Sequence, residues 1–113
     1  GEIISSLIVR QSHLDNYAEN KLEALRAQID RIDNYMLEIM SERMDIARKI
    51  GEFKRDNGIT ILQTNRWDEI INDRIKKAAK KDLTDDFVKE MMEAIHQESI
   101  RHQTKIMNNI LAE

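Results

Sequence analysis

The chain has 113 residues, a formal charge of −3 and no cysteine, and 41% of its residues are hydrophobic while 35% are charged. This length fits one domain. The slightly acidic balance gives no reason to expect a nucleic acid or an anionic membrane as partner. No stretch approaches the roughly 20 apolar residues of a membrane-spanning helix, and no signal peptide is recognisable, so we expect a cytoplasmic location. Proline is absent and glycine occurs three times, a composition that predicts an all-α fold.

Residues 1–20 do not share the pattern of the remaining chain. Their first half is apolar and β-branched, and their second half is polar without a sustained period. We interpret residues 1–20 as a linker or docking segment and residues 21–113 as the folded domain.

The first predicted helix runs from about Lys21 to Arg55, and its apolar residues recur at steps of three and four, which marks one face of an α-helix. These residues are Leu22, Leu25, Ile29, Ile32, Met36, Ile39, Ala47 and Ile50. Arg43 and Lys54 lie on the same face, about 16 Å apart. A buried cation is costly unless an anion meets it. Either acidic side chains neutralise the two cations within the fold, or this face binds an anionic ligand.

Two shorter patterns follow. Gly58 suits the left-handed conformation that ends a helix, and a second helix is predicted from about Thr64 to Lys81. The third helix begins at Thr84, a good N-cap followed by an acidic pair, and continues nearly to the C-terminus. The predicted architecture is therefore three helices: long, short, long.

The length of the first helix predicts a dimer. About 35 residues of helix extend roughly 52 Å, whereas a domain of this size has a radius of gyration of about 13 Å. Much of the apolar stripe would then be left for another chain to cover, and a symmetric dimer is the commonest arrangement. We predict an intertwined helical homodimer.

Polar residues also interrupt the apolar face of the third helix. Ser99 and Gln103 are neighbours on this face, four residues apart. A single buried glutamine is usually a satisfied amide, but Arg43, Lys54, Ser99 and Gln103 together indicate a ligand pocket between helices.

Arg26 is a candidate for the same pocket in another chain. It is turned about 100° from Arg43 and lies roughly 25 Å along the helix, so it reaches such a pocket only across an antiparallel dimer. The alternative is a surface arginine paired with Asp30.

The usual catalytic residues are missing. The chain has no cysteine nucleophile and no glycine-rich phosphate loop. His96 and His102 are six residues apart and face different sides of a helix, so we do not expect a metal site. For these histidines and His13 we expect solvated or capping roles.

The spacing of the unusual polar residues resembles the all-helical chorismate mutases of the bacterial AroQ type. The resemblance covers residues 22–110. It rests on Leu25-Arg26, Ile29-Asp30, Ile32-Asp33, Glu42-Arg43, Ala47, Ile50-Gly51 and Lys54 in the first helix, on Arg66 in the second, and on Glu98-Ser99 with Gln103 in the third.

The resemblance implies an enzyme that converts chorismate to prephenate by a Claisen rearrangement, without a cofactor. It further implies that Arg43 and the partner's Arg26 bind the two carboxylates with help from Ser99. Lys54 and Gln103 would be the catalytic donors to the ether oxygen. The remaining implied contact is Arg66, on the ring side of the substrate.

Two positions depart from the family pattern. Gln63 and Trp67 occupy the places of an acidic pair that binds the substrate hydroxyl. Gln63 can still hydrogen-bond a hydroxyl, but Trp67 cannot mimic a carboxylate. The Gln63, Arg66, Trp67 pattern resembles a subgroup in which the mutase domain is fused behind a DAHP synthase, which would make residues 1–20 an inter-domain linker.

Two other functions remain open. One is a non-catalytic helical module that regulates or docks onto an upstream domain. The other is an isochorismate pyruvate lyase, which shares the fold and a cationic pocket.

Overall fold

The computed structural model describes the backbone of residues 2–61 and 64–112, and the side chains of residues 15–61 and 66–108. It contains three helices: α1 (Glu2–Asn57), α2 (Thr64–Ala79) and α3 (Asp85–Ala112). Within these ranges no strand occurs, and the predicted all-α fold with long, short and long helices is confirmed.

The start of the first helix differs from the prediction. We placed it at about Lys21, whereas α1 begins at Glu2. Residues 11–20 lack an apolar period, but the sequence between the two positions contains no proline and no internal glycine, and helix propensity does not require an apolar stripe. The interpretation of residues 1–20 as a linker or docking segment stays a prediction.

The chain divides into two compact units, residues 1–40 and 41–113. The second unit holds the hydrophobic core, in which α2 packs on α3. Its buried centre is Ala78, Val88 and Met92. The partly buried residues around this centre are Trp67, Ile70, Ile71, Ile75 and Ile95.

The first unit is helical, and its apolar stripe is not covered. Leu22, Leu25, Ile29, Ile32, Met36 and Ile39 are all between 45% and 57% exposed. Side chains of this kind at steps of three and four normally face a packing partner. None of the described helices is both long and apolar enough to cross a membrane.

The C-terminal end of α1 and the start of α3 follow the predicted signals. Gly58 has a φ of 65°, and the amide of Ile59 donates to the Lys54 carbonyl at 2.8 Å, as in a left-handed C-terminal cap. At the start of α3 the Phe87 amide donates to Thr84 Oγ1 at 3.4 Å. The predicted N-cap is therefore confirmed.

Gly51 allows α1 and α3 to approach closely within the second unit. This buried glycine faces Gln103, and a Cβ placed on it would lie 3.0 Å from the Gln103 Cα. Any larger residue would push the α3 backbone away. The contact places Gln103 directly opposite the turn of α1 that carries Lys54.

Candidate active site

A cavity of about 370 Å³ lies in the second unit, and all three helices contribute to it. Its apolar lining includes Ile46, Ile50, Ile61, Ile70 and Ile100. The volume falls within the range of pockets that hold small organic molecules.

Arg43 and Ser99 form one end of the polar lining. Arg43 Nη1 on α1 donates to Ser99 Oγ on α3 at 2.7 Å, and Ser99 is 8% exposed. The pKa of the Arg43 guanidinium is lowered by burial and, to a smaller extent, by the positive charge of Arg74. The bond to Ser99 holds the guanidinium in the cavity and leaves its other N–H groups for a ligand.

Lys54 and Gln103 form a second polar pair. Lys54 Nζ donates to Gln103 Oε1 at 3.0 Å and to the Ile61 carbonyl at 2.9 Å. Burial lowers the pKa of Lys54. Because an ammonium can only donate, it requires the oxygen end of the Gln103 amide to face it, and the NH2 end is left to donate elsewhere. The pair therefore offers two hydrogen-bond donors, one from the ammonium and one from the amide.

Trp67 and His96 make a stacked aromatic wall. Their ring centroids are 4.1 Å apart with an interplanar angle of 21°, and both residues line the cavity. Burial lowers the pKa of His96, and the nearby charges of Arg43 and Lys54 lower it further.

The expected solvated or capping role of His96 is therefore wrong. A signal for its true place was present in the sequence, since His96, Ser99 and Gln103 are spaced by three and four residues on one face of α3. From sequence alone, a histidine on an apolar helix face can be either a solvated or capping residue or part of a cavity wall. The position of the opposing helix decides between these roles.

Three predicted site residues stand apart from these pairs. Arg66 lines the cavity, but its side chain is 62% exposed and lies 3.6 Å from Glu69 Oε2. Gln63 lies outside the described residues. Arg26 belongs to the first unit and is 3.6 Å from Glu23 Oε1, rather than paired with Asp30 as the surface alternative supposed.

Arg74 also lines the cavity and was not among the predicted site residues. It follows Trp67 and Ile70 at steps of three and four, so all three share the face of α2 that borders the cavity. This regular spacing was the signal in the sequence.

The charge of the cavity is unbalanced. Arg43, Lys54, Arg66 and Arg74 line it, and none of the lining residues that the structure describes is Asp or Glu. Among the described residues no group of three His, Asp or Glu side chains is placed to hold a metal ion. Anionic groups on a ligand would compensate the lining cations.

This fold and site define an all-α domain with a cationic cavity whose volume suits a small organic molecule. The chain belongs to the chorismate mutase type II family, whose model matches residues 25–104. The sequence-based prediction of a chorismate mutase, an isomerase of aromatic amino-acid biosynthesis, is confirmed at the level of the family.

Two relatives of this chain are named as mutases, and a third is a longer protein. The chain is 38% identical over 66 residues to a chorismate mutase of Methanocaldococcus jannaschii, which covers 58% of this chain and 66% of that protein. It is 26% identical over 90 residues to a 4-amino-4-deoxychorismate mutase of Streptomyces venezuelae, with 80% and 87% covered. It is also 28% identical over 79 residues to the T-protein of Enterobacter agglomerans, where it spans only 21% of that longer protein. No solved structure matches the chain significantly.

Proposed function

We propose that this domain converts chorismate to prephenate, and that the cavity of the second unit is its active site. The observation that carries the proposal is the arrangement of two donor pairs, Arg43 with Ser99 and Lys54 with Gln103, in one cationic cavity. Chorismate is a dicarboxylate whose ether oxygen gains negative charge as its C–O bond breaks. The carboxylates match the pair of Arg43 with Ser99. The charge that develops on the ether oxygen matches the pair of Lys54 with Gln103.

Arg43 is proposed to bind one carboxylate. Its guanidinium is partly withdrawn from water and held by Ser99, so a carboxylate would meet donors that are already oriented. Such charge-assisted bonds are shorter and stronger than neutral ones. Holding the carboxylate also restricts a flexible substrate to the folded shape that reacts.

Lys54 and Gln103 are proposed as the catalytic donors to the ether oxygen. An acceleration at the low end of the enzymatic range requires about 8 kcal/mol. One pre-organised donor to developing negative charge contributes roughly 3 to 4 kcal/mol. Two such donors together with the positioning of the substrate reach this total without acid–base chemistry.

A second candidate substrate is 4-amino-4-deoxychorismate, because two of the relatives are named mutases of that compound. Its amine is an ammonium at neutral pH, and the described lining of the cavity holds four cations and no carboxylate. Repulsion in this partly desolvated cavity would weaken binding of the amino compound. We therefore favour chorismate, and the ratio of kcat/KM for the two substrates tests this choice.

The working enzyme is proposed to be a homodimer in which the partner's Arg26 binds the second carboxylate. The exposed stripe from Leu22 to Ile39 supports the dimer, since it is the kind of surface that a second helix covers. Arg26 follows Leu25 on this segment, and its side chain is 64% exposed and so accessible to another chain.

We also propose that the substrate ring and its hydroxyl contact Arg66, Trp67 and Gln63.

Residues 1–20 are proposed as a linker or docking segment to a DAHP synthase domain. A cytoplasmic location is proposed for the protein. The relatives in which the matched region is about a fifth of the length support the idea that this kind of domain occurs in longer proteins.

The test is incubation of the purified chain with chorismate, following the loss of its diene absorbance and identifying the product. We expect prephenate. Pyruvate released from isochorismate would assign the lyase instead. No turnover of chorismate, isochorismate or the amino compound would leave the non-catalytic docking module.

A further inference from the structure

Arg74 is a cation of the cavity for which the proposed mechanism has no use. It lies on the cavity-facing side of α2, in line with Trp67 and Ile70. Its side chain is 39% exposed, so it is neither a fully solvated surface residue nor a member of the core.

Arg74 could be an ordinary surface arginine that pairs with Asp73. The geometry of the pair shows that this contact uses only part of the guanidinium. Arg74 Nη1 donates to Asp73 Oδ2 at 2.6 Å, and the same oxygen lies 3.2 Å from Lys77 Nζ. Asp73 does not line the cavity, whereas Arg74 does. The carboxylate therefore holds the guanidinium by one end from outside. Nη2 and Nε are left to donate, and among the described residues Asp73 is the one hydrogen-bond partner of Arg74.

Arg43 and Arg74 face the same cavity without an acid between them. The positive charge of Arg74 is close enough to lower the pKa of Arg43. Two guanidinium groups that line one cavity repel each other, and a single carboxylate placed between them would meet donors from both. A carboxylate bound there offsets the electrostatic repulsion between the two guanidinium groups.

We propose that Arg74 is a substrate-binding residue, and that it and Arg43 together hold one carboxylate of the substrate between α1 and α2. This inference rests on the proposed function, because it takes a dicarboxylate as the substrate. Arg74 completes the site for the first carboxylate together with Arg43. The second carboxylate is left to the partner's Arg26.

The kinetic test compares Arg74→Leu with Arg74→Lys. Loss of a charge-assisted hydrogen bond to a carboxylate is expected to raise KM for chorismate about tenfold. The turnover number should change less than about threefold, since a carboxylate is held equally before and during the rearrangement. Arg74→Lys should recover part of the loss, because lysine restores the charge but not the planar pair of donors.

Arg101→Leu is the matched control. Arg101 is also a helix arginine paired with a nearby acid, with its Nη2 at 2.6 Å from Glu98 Oε2, and its side chain is 69% exposed outside the cavity lining. Its KM should equal that of the wild type. An Arg74→Leu variant whose KM stays within twofold of the control overturns the inference while leaving the mutase assignment intact.

A direct binding measurement separates the two proposals further. Trp67 is the one tryptophan of the chain and lines the same cavity, so its fluorescence reports occupancy. The probe is cis-cyclohexane-1,3-dicarboxylate, which does not react. We expect Arg74→Leu to weaken its binding about tenfold, as for KM, and Arg101→Leu to leave it unchanged. Equal binding by all three proteins overturns the role of Arg74. A wild type that neither binds this probe nor turns over chorismate overturns the proposed function and the role of Arg74 with it.

Discussion

Gln103 is suited to its proposed role only as an amide that Lys54 has oriented. The ammonium accepts no hydrogen bond, so it selects the oxygen end of the amide at 3.0 Å and leaves the NH2 end to donate. One side chain thus sets the direction of the other. The same pairing makes the chemical identity of residue 103 easy to test, since glutamate has nearly the same shape but a different donor capacity.

Gln103→Glu should make activity depend on acid. An ionised carboxylate cannot donate to the ether oxygen, so only the protonated form of the introduced carboxyl is active. We expect kcat/KM at neutral pH to fall about 10²- to 10³-fold and to rise as the pH falls toward the pKa of the introduced carboxyl. The measurement is the kcat/KM profile from pH 8 to 4, with the wild type as control. A profile parallel to the wild type would remove Gln103 from the mechanism.

His96 should make the stability of the wild type depend on pH. Burial first, and then the charges of Arg43 and Lys54, lower its pKa, while Glu93 acts in the opposite direction. As pH falls below the ordinary histidine value of about 6.5, the unfolded chain takes up a proton that the folded chain refuses, so the free energy of unfolding decreases. This loss continues until the pH reaches the lowered pKa.

His96→Phe isolates this effect, because phenylalanine keeps a flat ring for stacking on Trp67 but does not titrate. We expect the free energies of unfolding of wild type and variant to run parallel above about pH 7.5 and to diverge below about pH 6.5, with the wild type losing more. Urea unfolding at one fixed protein concentration measures the free energy of unfolding of the wild type and of the variant at each pH. A difference that stays constant between pH 5 and 8 would contradict the prediction.

At the scale of helices, Gly51 shows why two correctly predicted elements do not by themselves make a site. Helix propensity favours alanine over glycine by about 1 kcal/mol, so from sequence alone a glycine within α1 is expected only to destabilise the helix. Its use appears only when α3 is in place, with the Gln103 Cα 3.0 Å from where a Cβ would lie.

Gly51→Ala should therefore lower activity without loss of helix. The added methyl group requires the α3 backbone at Gln103 to move by a few tenths of an ångström, and a misplacement of about 1 Å costs up to about 10²-fold in rate. We expect the smaller movement to lower kcat by about threefold to tenfold while the far-ultraviolet circular dichroism is retained. Glu52→Ala, at the exposed neighbouring position, is the control and should keep its kcat. An unchanged kcat in the glycine variant would show that α3 adjusts at no cost to the site.

For the molecule as a whole, the exposed apolar stripe of the first unit is the feature that a single chain leaves unexplained. Its residues keep steps of three and four from Leu22 to Ile39, and about half of each side chain is exposed. A second copy of the helix is the partner that matches such a period.

Ile29→Glu should prevent dimerisation, because it places a charge in the middle of the stripe where it would have to be desolvated. Light scattering after size-exclusion chromatography should give twice the chain mass for the wild type and the single-chain mass for the variant. Turnover should fall with the dimer, because the contact proposed between the partner's Arg26 and the second carboxylate would be lost. Asn34→Glu, off the stripe and exposed, should remain dimeric. A monomeric wild type, or a dimeric Ile29→Glu variant, would contradict the proposed assembly.

Much of the site could be predicted from the sequence because its signals are local. The helical period identified Arg43, Lys54, Ser99 and Gln103 as polar residues on inward faces. All four line one cavity, in two hydrogen-bonded pairs. The helix ends at Gly58 and Thr84 were equally readable, since the conformation of a cap depends on a few adjacent residues. The resemblance to a family added the chemistry.

The sequence by itself thus determined that the chain forms three helices, where α2 and α3 begin and which helix faces are apolar, because propensity, capping and apolar periodicity act within a few residues. The tertiary structure decided which side chains meet across helices. The Lys54–Gln103 pair joins residues 49 apart, and His96 and Arg74 became parts of the cavity wall only when α2 and α3 packed with particular rotations. Such rotations depend on close contacts like that of Gly51 with Gln103, which no local pattern encodes.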